Sequence, residues 1–320
     1  MKKVFLCEFI HPDAYAYLDK YVEIIPTWDR FSEADGLIDR NFKITEELLQ
    51  TTHQLKVIGV HGTGTDDVDL EAAKRHGVEV FSVPHQNAQS VAEMNIALML
   101  ALGRKVVLAD RMITGKREDT EVGSTVSREP KPNLFAELQG TEFFGKTLGL
   151  IGVGEISKRT ANICRYGFAM NVIGWSRHMS DEEAKFLGIT KKKTMDDVFR
   201  QADVIMIGLA LDDSTRGLIG KAQFEQMKPT AFLINSTRGA VIDEEALYEV
   251  LCDGKIAGAA CDVFVKEPVT AEHKLMTLSN FVGTPHLGAN TDDALRRVGM
   301  AVVIGVLERL GVMTEDADKQ

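Results

Sequence analysis

Short apolar runs alternate with amphipathic stretches along most of the chain. The runs are rich in β-branched residues and are bounded by turn-forming residues, a pattern that predicts strands. The predicted strands are residues 4–9, 22–25, 56–60, 78–83, 147–151, 171–175, 204–209, 231–235, 258–264 and 281–284, with a further strand-like stretch at 36–38. Because helical patterns lie between most of them, the sequence predicts an α/β protein with parallel sheets covered by helices on both faces.

Residues at the ends of the helical patterns support this interpretation. Ser90 and Glu93 have the spacing of a capping box and predict that a long helix starts at Ser90. Asp243 is expected to cap the following helix at its amino end. Left-handed glycines are expected to end three other helices, at Gly77, Gly167 and Gly254.

Composition and length indicate a folded chain of about two domains. The 320 residues include 44% hydrophobic and 26% charged side chains, which excludes a disordered chain. One stretch, residues 114–141, is polar and shows no sustained apolar period, and we interpret it as a long surface loop or lid.

The charge balance restricts the partners. The net charge of −10 gives no overall attraction to nucleic acid or to an anionic membrane. The three lysines at 191–193 form a tight basic patch, which we interpret as a solvated turn. The longest apolar run, residues 96–102, is far shorter than the roughly 18 residues of a membrane span, and the amino terminus lacks a secretory pattern. The 4 cysteines have no metal-type spacing and are expected to be buried free thiols of a cytoplasmic protein, so no metal site is predicted.

A glycine-rich turn follows one predicted strand and opens a helix. In the stretch Gly152, Val153, Gly154, Glu155, Ile156, Ser157, the first glycine permits a tight turn and the second lets the backbone approach a pyrophosphate. The helix amino terminus adds free N–H groups and a positive dipole. Glycine turns alone are common, but in this strand–turn–helix context they predict a dinucleotide site.

The next strand ends at Ser176 and Arg177 instead of the Asp or Glu that usually accepts from the ribose of NAD. An arginine attracts the 2′-phosphate of NADP, whereas a carboxylate repels it. The sequence therefore allows NAD(H) or NADP(H), with a slight lean to NADP(H). The alternative is that Arg177 stacks on the adenine and that either cofactor is accepted.

Three later stretches place Arg238, Glu267 and His286 after predicted strands, at the edge where open α/β sheets bind ligands. Such a set is sufficient for exchange between a 2-hydroxy acid and a 2-keto acid. The arginine binds a carboxylate bidentately, the histidine transfers a proton near neutral pH, and the glutamate holds its tautomer. Taken singly, each residue is weak evidence: a lone histidine after a strand is more often structural, Arg238 could be an ordinary ion-pair partner, and Glu267 with Pro268 could form a turn.

Taken together, the motifs resemble those of the D-isomer-specific 2-hydroxyacid dehydrogenases, from about Leu37 to about Leu310. The matching stretches are HGTGTDDVDLEAA, NAQSVAE, TLGLIGVGEIS, INSTRGAVIDEEAL, GAACDVFVKEP and TPHLGANT. The resemblance implies two Rossmann-like or flavodoxin-like domains with the substrate cleft between them. The substrate domain would comprise residues 1–92 and 289–320, and the dinucleotide domain residues 93–288. It also implies a homodimer formed through the cofactor domain.

The resemblance also implies roles for single residues. Arg238 would bind the substrate carboxylate and polarise the carbonyl, with His286 as acid and base and Glu267 as its partner. Asp262 would contact the nicotinamide carboxamide, and Thr237 would lie at the cofactor. The remaining implied substrate contacts are Gly62, Thr63, Gly64 and Asn87.

Several positions depart from the family pattern. Ser157 replaces the third glycine, and Glu155, which is expected to point to water, replaces a residue that is frequently basic. His85 replaces a small residue beside Asn87, within reach of a substrate. A chain in which Ser157 and Glu155 abolish cofactor binding, a degenerate enzyme, is a further alternative.

The substrate is left open among several acids. Arg40 occupies a position where the family's phosphoglycerate dehydrogenases bind the far end of their substrate, but a solvent-exposed loop arginine is an equal alternative. Glyoxylate and hydroxypyruvate suit the same core, phosphite oxidation stays possible, and Glu267 disfavours a formate dehydrogenase, which has Gln there.

A different class with the same residues is the dinucleotide-sensing corepressor. The acidic balance and the lack of added interaction tails favour an enzyme. Because the sequence ends soon after its last helix, we expect a layout without a C-terminal regulatory domain.

Overall fold

The computed structural model describes residues 1–114 and 138–312. The predicted loop at 114–141 therefore lies almost entirely outside the described residues. By internal contacts the chain divides into two units. Unit 1 is Met1–Ser90 with Ala289–Gln320, and unit 2 is Val91–Gly288.

Unit 1 contains a five-stranded parallel sheet in the order β2-β1-β3-β4-β5, the flavodoxin-like order. Its strands are β1 (Lys3–Leu6), β2 (Glu23–Ile25), β3 (Gly36–Asp39), β4 (Val57–Val60) and β5 (Glu79–Ser82). Its helices are α1 (Pro12–Leu18), α2 (Glu46–Leu49), α3 (Leu70–Arg75) and α11 (Asp292–Arg309), with a 3₁₀ helix at Trp28–Glu33.

The last helix, α11, completes the core of unit 1. Val302 and Val306 on α11 are fully buried in the same apolar cluster as residues of β1, β3 and β4. Gly59 on β4 permits this approach, because a Cβ atom there would lie 2.7 Å from Val302 Cγ2. The carboxyl-terminal segment is thus part of the first unit's fold.

Unit 2 contains a seven-stranded parallel sheet in the order β12-β11-β10-β9-β6-β7-β8. The strands are β6 (Thr147–Ile151), β7 (Asn171–Trp175), β8 (Thr190–Lys191), β9 (Val204–Ile207), β10 (Phe232–Asn235), β11 (Gly258–Cys261) and β12 (Phe281–Gly283). The order reverses between β6 and β9, and the carboxyl edge at such a switch point is where doubly wound sheets bind ligands.

Helices cover both faces of this sheet. They are α5 (Val106–Ile113), α6 (Glu155–Phe168), α7 (Asp181–Leu187), α8 (Met195–Gln201), α9 (Lys221–Phe224), α10 (Glu244–Cys252) and most of α4 (Ala88–Gly103), with 3₁₀ helices at Gly239–Val241 and Lys274–Thr277. Along β9, Ile205 and Ile207 belong to one buried cluster, whereas Val204 and Met206 belong to another. Both faces of the strand are therefore buried, and the predicted α/β class with parallel sheets is confirmed.

Several local predictions were wrong. The cysteines were expected to be buried, but Cys252 is exposed and Cys7 is half-buried. The long helix α4 begins at Ala88, so Ser90 lies in its first turn and accepts a hydrogen bond from Thr291 at 3.2 Å. Helix α6 continues past Gly167, and Ala169 is its left-handed end, with a φ of 50°. Lys191 lies in the short edge strand β8, because the parallel pairing with β7 extends to it.

Other helix ends agree with the sequence. Asp243 caps α10 and accepts from the N–H groups of Glu245 and Ala246, both at 3.1 Å. Gly77 and Gly254 have φ values of 71° and 62°. Among residues 1–114 and 138–312, none of the helices is both long and apolar enough to cross a membrane.

Candidate functional site

The glycine turn connects β6 to α6 at the switch point of unit 2. Gly152 has a φ of 89°, and a Cβ atom there would lie 2.5 Å from the carbonyl oxygen of Gly208. Only glycine fits this conformation and this contact. A Cβ atom at Gly154, in contrast, would meet no atom within 4 Å, so the backbone is open to a ligand on that side. Val153, Glu155 and Ile156 complete the turn and the first residues of the helix, whose N–H groups and dipole suit a pyrophosphate.

Ser157, at the position of the third glycine, is accommodated by a glycine on the neighbouring strand end. Its side chain is 4% exposed, and a Cβ atom at Gly208 would lie 2.2 Å from its hydroxyl oxygen. Gly208 follows β9, next to β6 in the sheet. The absence of a side chain at Gly208 therefore provides the space that a glycine at 157 provides in the usual motif.

The acidic residue in the turn is paired within the protein. Glu155 Oε1 lies 3.2 Å from Lys158 Nζ, one turn along α6, and Lys158 also contacts Glu183 at 3.1 Å. The hydrogen bond from Lys158 to Glu183, with that to Glu155, raises the pKa of Lys158. The negative charge of Glu155 is thus offset by a neighbouring ammonium group.

Arg177 follows β7 and lies over the loop after β9. Its Nη1 donates to the hydroxyl of Ser214 at 2.9 Å, and that hydroxyl donates to Asp212 Oδ1 at 2.5 Å. The hydrogen bonds from the Ser214 hydroxyl and N–H, followed by those of Thr215 and the charge of Arg177, lower the pKa of Asp212. Ser176, between the strand and Arg177, is half-buried.

At the end of β10, a buried asparagine shapes the turn that carries Arg238. Asn235 is 1% exposed, and its Oδ1 accepts from the Thr237 N–H at 3.1 Å and from the Thr237 hydroxyl at 3.0 Å. Its Nδ2 donates to the carbonyl of Arg238 at 3.1 Å, and Arg238 Nη1 donates to the carbonyl of Thr237 at 2.9 Å. The turn is therefore fixed on both sides of the arginine.

Glu267 and His286 form a hydrogen-bonded pair in the same unit. His286 Nδ1 lies 2.8 Å from Glu267 Oε2, and Glu267 Oε1 accepts from the Phe264 N–H at 2.9 Å. Burial opposes ionisation of Glu267, but the hydrogen bonds from His286 and Phe264 and the charges of His286 and Arg238 outweigh it and lower its pKa. An ionised carboxylate only accepts hydrogen bonds, so Nδ1 carries a proton and Nε2 is left for chemistry.

Asp262 holds the turn that contains His286. Its Oδ1 accepts from the Thr284 hydroxyl at 2.5 Å and the Leu287 N–H at 2.8 Å, and its Oδ2 accepts from the Gly288 N–H at 2.7 Å. Its backbone carbonyl accepts from the His286 N–H at 2.8 Å. Asp262 is 1% exposed, and its hydrogen bonds organise the turn that contains His286.

The candidate substrate residues of unit 1 follow three neighbouring strands. Arg40 comes after β3, the segment Gly62, Thr63, Gly64 comes after β4, and Asn87 lies in the turn between β5 and α4. The carbonyl of Gly62 accepts from the Val83 N–H at 2.9 Å, which holds the β4 and β5 ends side by side. Arg40 Nη2 donates to Asn290 Oδ1 at 3.2 Å.

Beneath Arg40 lies a buried carboxylate with an incomplete set of partners. Asp39 is 1% exposed; its Oδ1 accepts from the Phe42 N–H at 3.0 Å, whereas its Oδ2 has no partner within the described ranges. Burial, with the charges of Asp67 and Glu8, raises the pKa of Asp39 to about 7. Burial, with the charge of Arg40, lowers the pKa of His61 to about 4.

The structure thus brings Arg238, Glu267, His286 and the glycine turn to one edge of the unit 2 sheet. It brings Arg40, the glycine segment at 62–64 and Asn87 to one edge of the unit 1 sheet. Sequence reasoning missed Asn235, Thr284 and Gly208, which contact these residues. An asparagine at the end of an apolar strand was the available signal for Asn235, and Thr284 opens the TPHLGANT stretch, whereas no local pattern identifies Gly208.

The chain is similar to known proteins. Residues 96–288 match the family described as D-isomer specific 2-hydroxyacid dehydrogenase, NAD binding domain. The chain is 34% identical over 311 residues to D-3-phosphoglycerate dehydrogenase of Methanocaldococcus jannaschii, covering 94% of the chain and 56% of that protein. It is 35% identical over 299 residues to hydroxypyruvate reductase of Thermotoga maritima, covering 92% of the chain and 89% of that protein.

A solved structure shows the same fold. The crystal structure of a glyoxylate reductase from Paecilomyes thermophila superposes with a TM-score of 0.78 at 26% identity, over 100% of this chain and 99% of that one. The chain spans about half the length of the D-3-phosphoglycerate dehydrogenases it matches, for example 56% and 46% of two of them. Since the matched family segment covers more than half of the sequence, the chain belongs to the D-isomer specific 2-hydroxyacid dehydrogenase family.

Proposed function

We propose that this protein is an NAD(P)-dependent dehydrogenase that interconverts 2-keto acids and D-2-hydroxy acids. The observation that carries the proposal is the 2.8 Å contact between His286 Nδ1 and Glu267 Oε2, together with the lowered pKa of that glutamate. The pair fixes one histidine tautomer and leaves Nε2 free to exchange a proton. The family membership and the names of the matched reductases support the same reaction.

The glycine turn fits a dinucleotide. Gly152 makes the tight turn, Gly154 leaves the backbone open, and we propose that Val153, Glu155 and Ile156 contribute their N–H groups to the pyrophosphate. Thr237 and Asp262, which follow β10 and β11, are proposed to lie at the nicotinamide end. When bound, a nicotinamide cofactor supplies or accepts the hydride at the substrate carbon.

The chain's own residues supply binding and the proton. Arg238 binds the substrate carboxylate with two hydrogen bonds and draws electrons from the neighbouring carbonyl. The Gly62, Thr63 and Gly64 backbone and the Asn87 amide are proposed to donate to the same substrate. During reduction, His286 Nε2 donates a proton to the carbonyl oxygen, and during oxidation it removes the proton from the hydroxyl.

We propose a lean to NADP(H) over NAD(H). The strand end at Ser176 lacks a carboxylate, and Arg177, held by Ser214 at 2.9 Å, carries the guanidinium N–H donors that bind phosphates. Asp212 partly offsets the charge of Arg177, which limits the preference.

The substrate is proposed to be a small 2-keto acid such as glyoxylate or hydroxypyruvate, or one with an anionic far end, as in phosphohydroxypyruvate. Arg40 distinguishes these two kinds of substrate. Its guanidinium donates to the neutral amide oxygen of Asn290, so its positive charge is available to bind an anion.

We also propose a cytoplasmic homodimer, formed through the cofactor unit. The corepressor-type sensor is not favoured, since the matched relatives are named as dehydrogenases and reductases.

To test the proposal, the loss of reduced-nicotinamide absorbance is measured with NADPH and NADH in parallel. The panel is glyoxylate, hydroxypyruvate, phosphohydroxypyruvate, 2-oxoglutarate and a bulky 2-keto acid. Turnover of one member supports the dehydrogenase, and a preference for the phosphorylated acid that disappears in Arg40→Ala assigns its anion to Arg40. Arg177→Ala is expected to reduce the NADPH/NADH ratio of kcat/KM. Tight dinucleotide binding without turnover of any member would instead favour the sensor.

A further inference from the structure

Three buried polar side chains from separate elements of unit 2 meet in a hydrogen-bonded chain. The Ser236 hydroxyl donates to Asn95 Oδ1 at 2.6 Å, and Asn95 Nδ2 donates to the Thr160 hydroxyl oxygen at 3.2 Å. The three residues are 8%, 3% and 0% exposed, respectively. Asn95 lies on α4, Thr160 on α6, and Ser236 directly after β10.

Burial among apolar side chains makes this set of three polar residues energetically unfavourable unless all its hydrogen bonds form. Leu98 on α4 and Ala161 on α6, beside these residues in sequence, belong to one apolar cluster. A buried amide without partners costs free energy, and an apolar side chain would fill the same space without that cost. The geometry therefore indicates that the three elements must keep a fixed relative orientation. Directional hydrogen bonds fix such an orientation, whereas apolar contacts do not.

The two outer residues of this hydrogen-bonded series, Thr160 and Ser236, belong to elements that form different parts of the proposed cofactor site. Thr160 lies six residues after Gly154, on the helix whose amino terminus is proposed to bind the pyrophosphate. Ser236 precedes Thr237 and Arg238 in the turn that Asn235 fixes. Asn95 is bonded to both, so it links the helix α6 to the turn that carries Arg238.

We propose that Asn95 is a positioning residue that aligns the two ends of the dinucleotide site through Thr160 and Ser236. The proposal rests on the proposed function, because it concerns the binding of a dinucleotide. It predicts that the two arms of the chain act on different parts of that ligand. The Thr160 arm acts on the pyrophosphate, and the Ser236 arm acts on the nicotinamide end and on Arg238.

The test uses two probes, ADP-ribose, which lacks the nicotinamide, and the reduced dinucleotide that the wild-type protein binds more tightly. Thr160→Val is expected to weaken binding of both probes by a similar factor. Ser236→Ala is expected to weaken the dinucleotide and lower kcat but leave ADP-ribose unchanged. Asn95→Leu combines both effects, with kcat lower by about tenfold, since small displacements of reacting groups have large effects on rate.

Two further variants separate positioning from folding. The triple variant Asn95→Leu, Thr160→Val, Ser236→Ala has no polar group left unpaired, so its stability recovers toward the wild type, whereas its kcat and its dinucleotide Kd do not. It also keeps the test informative if Asn95→Leu alone fails to fold. Asn280→Leu is the matched control, because Asn280 Nδ2 donates to the Leu251 carbonyl at 3.1 Å, on another part of the unit.

The outcomes are distinguishable. If the wild type binds neither probe, the proposed function fails. Suppose that the wild type binds both probes and that the triple variant regains its stability together with wild-type kcat and dinucleotide Kd. The three hydrogen-bonded residues then serve only packing, and the positioning proposal is overturned. Equal effects of Ser236→Ala on both probes overturn it as well.

Discussion

His286 Nδ1 lies 2.8 Å from Glu267 Oε2, and His286 holds this position with a φ of 56°. A residue other than glycine rarely adopts this left-handed backbone conformation, because it costs on the order of 1–3 kcal/mol. The cost is met here because Asp262 accepts from the N–H groups of His286, Leu287 and Gly288. The protein thus stabilises an unfavourable turn at the residue that we propose for proton transfer.

Replacing His286 with alanine should remove the proton donor without disturbing the dinucleotide turn. We expect kcat to fall by about 10²–10⁴, the usual contribution of general acid–base catalysis. The dinucleotide Kd, measured by fluorescence titration, should stay unchanged. His53→Ala, at an exposed histidine of unit 1, is the control and should retain full activity. A His286→Ala variant with wild-type kcat would exclude this histidine from the mechanism.

Glu267 should make the stability of the protein depend on acidic pH. Its pKa in the folded state is lower than its ordinary value of 4.5, so the folded protein favours the ionised form. The stabilisation is therefore complete above about pH 4.5 and is lost as the pH falls through the lower, folded pKa. In urea unfolding experiments, the difference between the wild type and Glu267→Gln should shrink as the pH is lowered from 6 toward 3. A difference that stays constant would show that the pair does not favour the carboxylate.

Much of this site could be predicted because its residues stand directly after apolar strands. The carboxyl ends of parallel strands share one edge of a sheet, so the sequence order of Gly152, Arg238 and His286 already implied their common location. The strand at 258–264 was predicted too long, since the ladder ends at Cys261. Its apolar run continues because Val263 and Phe264 are buried although they lie beyond the end of the strand.

Contacts between distant segments could not be predicted. Asn95 and Ser236 are separated by 141 residues. Asn95 belongs to no motif, and the INSTRGAVIDEEAL stretch that contains Ser236 does not specify its partner. The pairing of Gly208 with Ser157 has the same origin, since nothing near either residue specifies the other. Likewise, the helix start at Ala88 was missed because the Ser90–Glu93 spacing lies inside the helix, and the Ser90 hydroxyl accepts from Thr291, 201 residues away in the sequence.

Arg238 should be sensitive even to lysine. A guanidinium forms two parallel hydrogen bonds with a carboxylate, whereas an ammonium acts as a point charge. Losing one charge-assisted hydrogen bond of about 1.5–3 kcal/mol should lower kcat/KM by roughly 10- to 100-fold in Arg238→Lys, with KM raised for every acid in the panel. Arg200→Lys is a suitable control, because Arg200 pairs with Asp197 on an exposed surface. Equal kinetics in both lysine variants would argue against carboxylate binding by Arg238.

Gly208 should tolerate no side chain as long as Ser157 is present. A Cβ atom at 208 would lie 2.2 Å from the Ser157 hydroxyl and 2.7 Å from the Gly152 carbonyl oxygen. We expect Gly208→Ala to destabilise the protein by about 1–3 kcal/mol and to weaken dinucleotide binding, because both contacts lie in the glycine turn. Adding Ser157→Gly removes the first clash but not the second, so the double variant should recover only in part.

Thermal unfolding and a dinucleotide titration measure both effects. Gly167→Ala is the control of opposite sign, since a Cβ atom there meets no atom within 4 Å and the position is helical. That change should stabilise the protein by about 0.5–1 kcal/mol. A Gly208→Ala variant as stable as the wild type would mean that the turn adjusts freely.

Asp39 should give stability a pH dependence of the opposite sign to that of Glu267. Its pKa rises from 3.8 to about 7, because burial and the charges of Asp67 and Glu8 disfavour the ionised form in the folded protein. The folded state therefore holds a proton that the unfolded state has lost between these two values. Stability should fall as the pH rises from 4 to 7, by less than about 1.4 kcal/mol per pH unit, and then stay level.

Asp39→Asn keeps an acceptor for the Phe42 N–H but has no charge to bury. Its stability relative to the wild type should therefore increase steadily from pH 4 to pH 7. Asp35→Asn is the matched control, because burial of Asp35 is outweighed by its hydrogen bond to Lys2, which lowers its pKa, so that variant should show no gain over this range. Urea unfolding at half-unit pH steps provides the comparison. Parallel curves for the wild type and Asp39→Asn would show that Asp39 is ionised throughout and that its unpartnered oxygen is solvated.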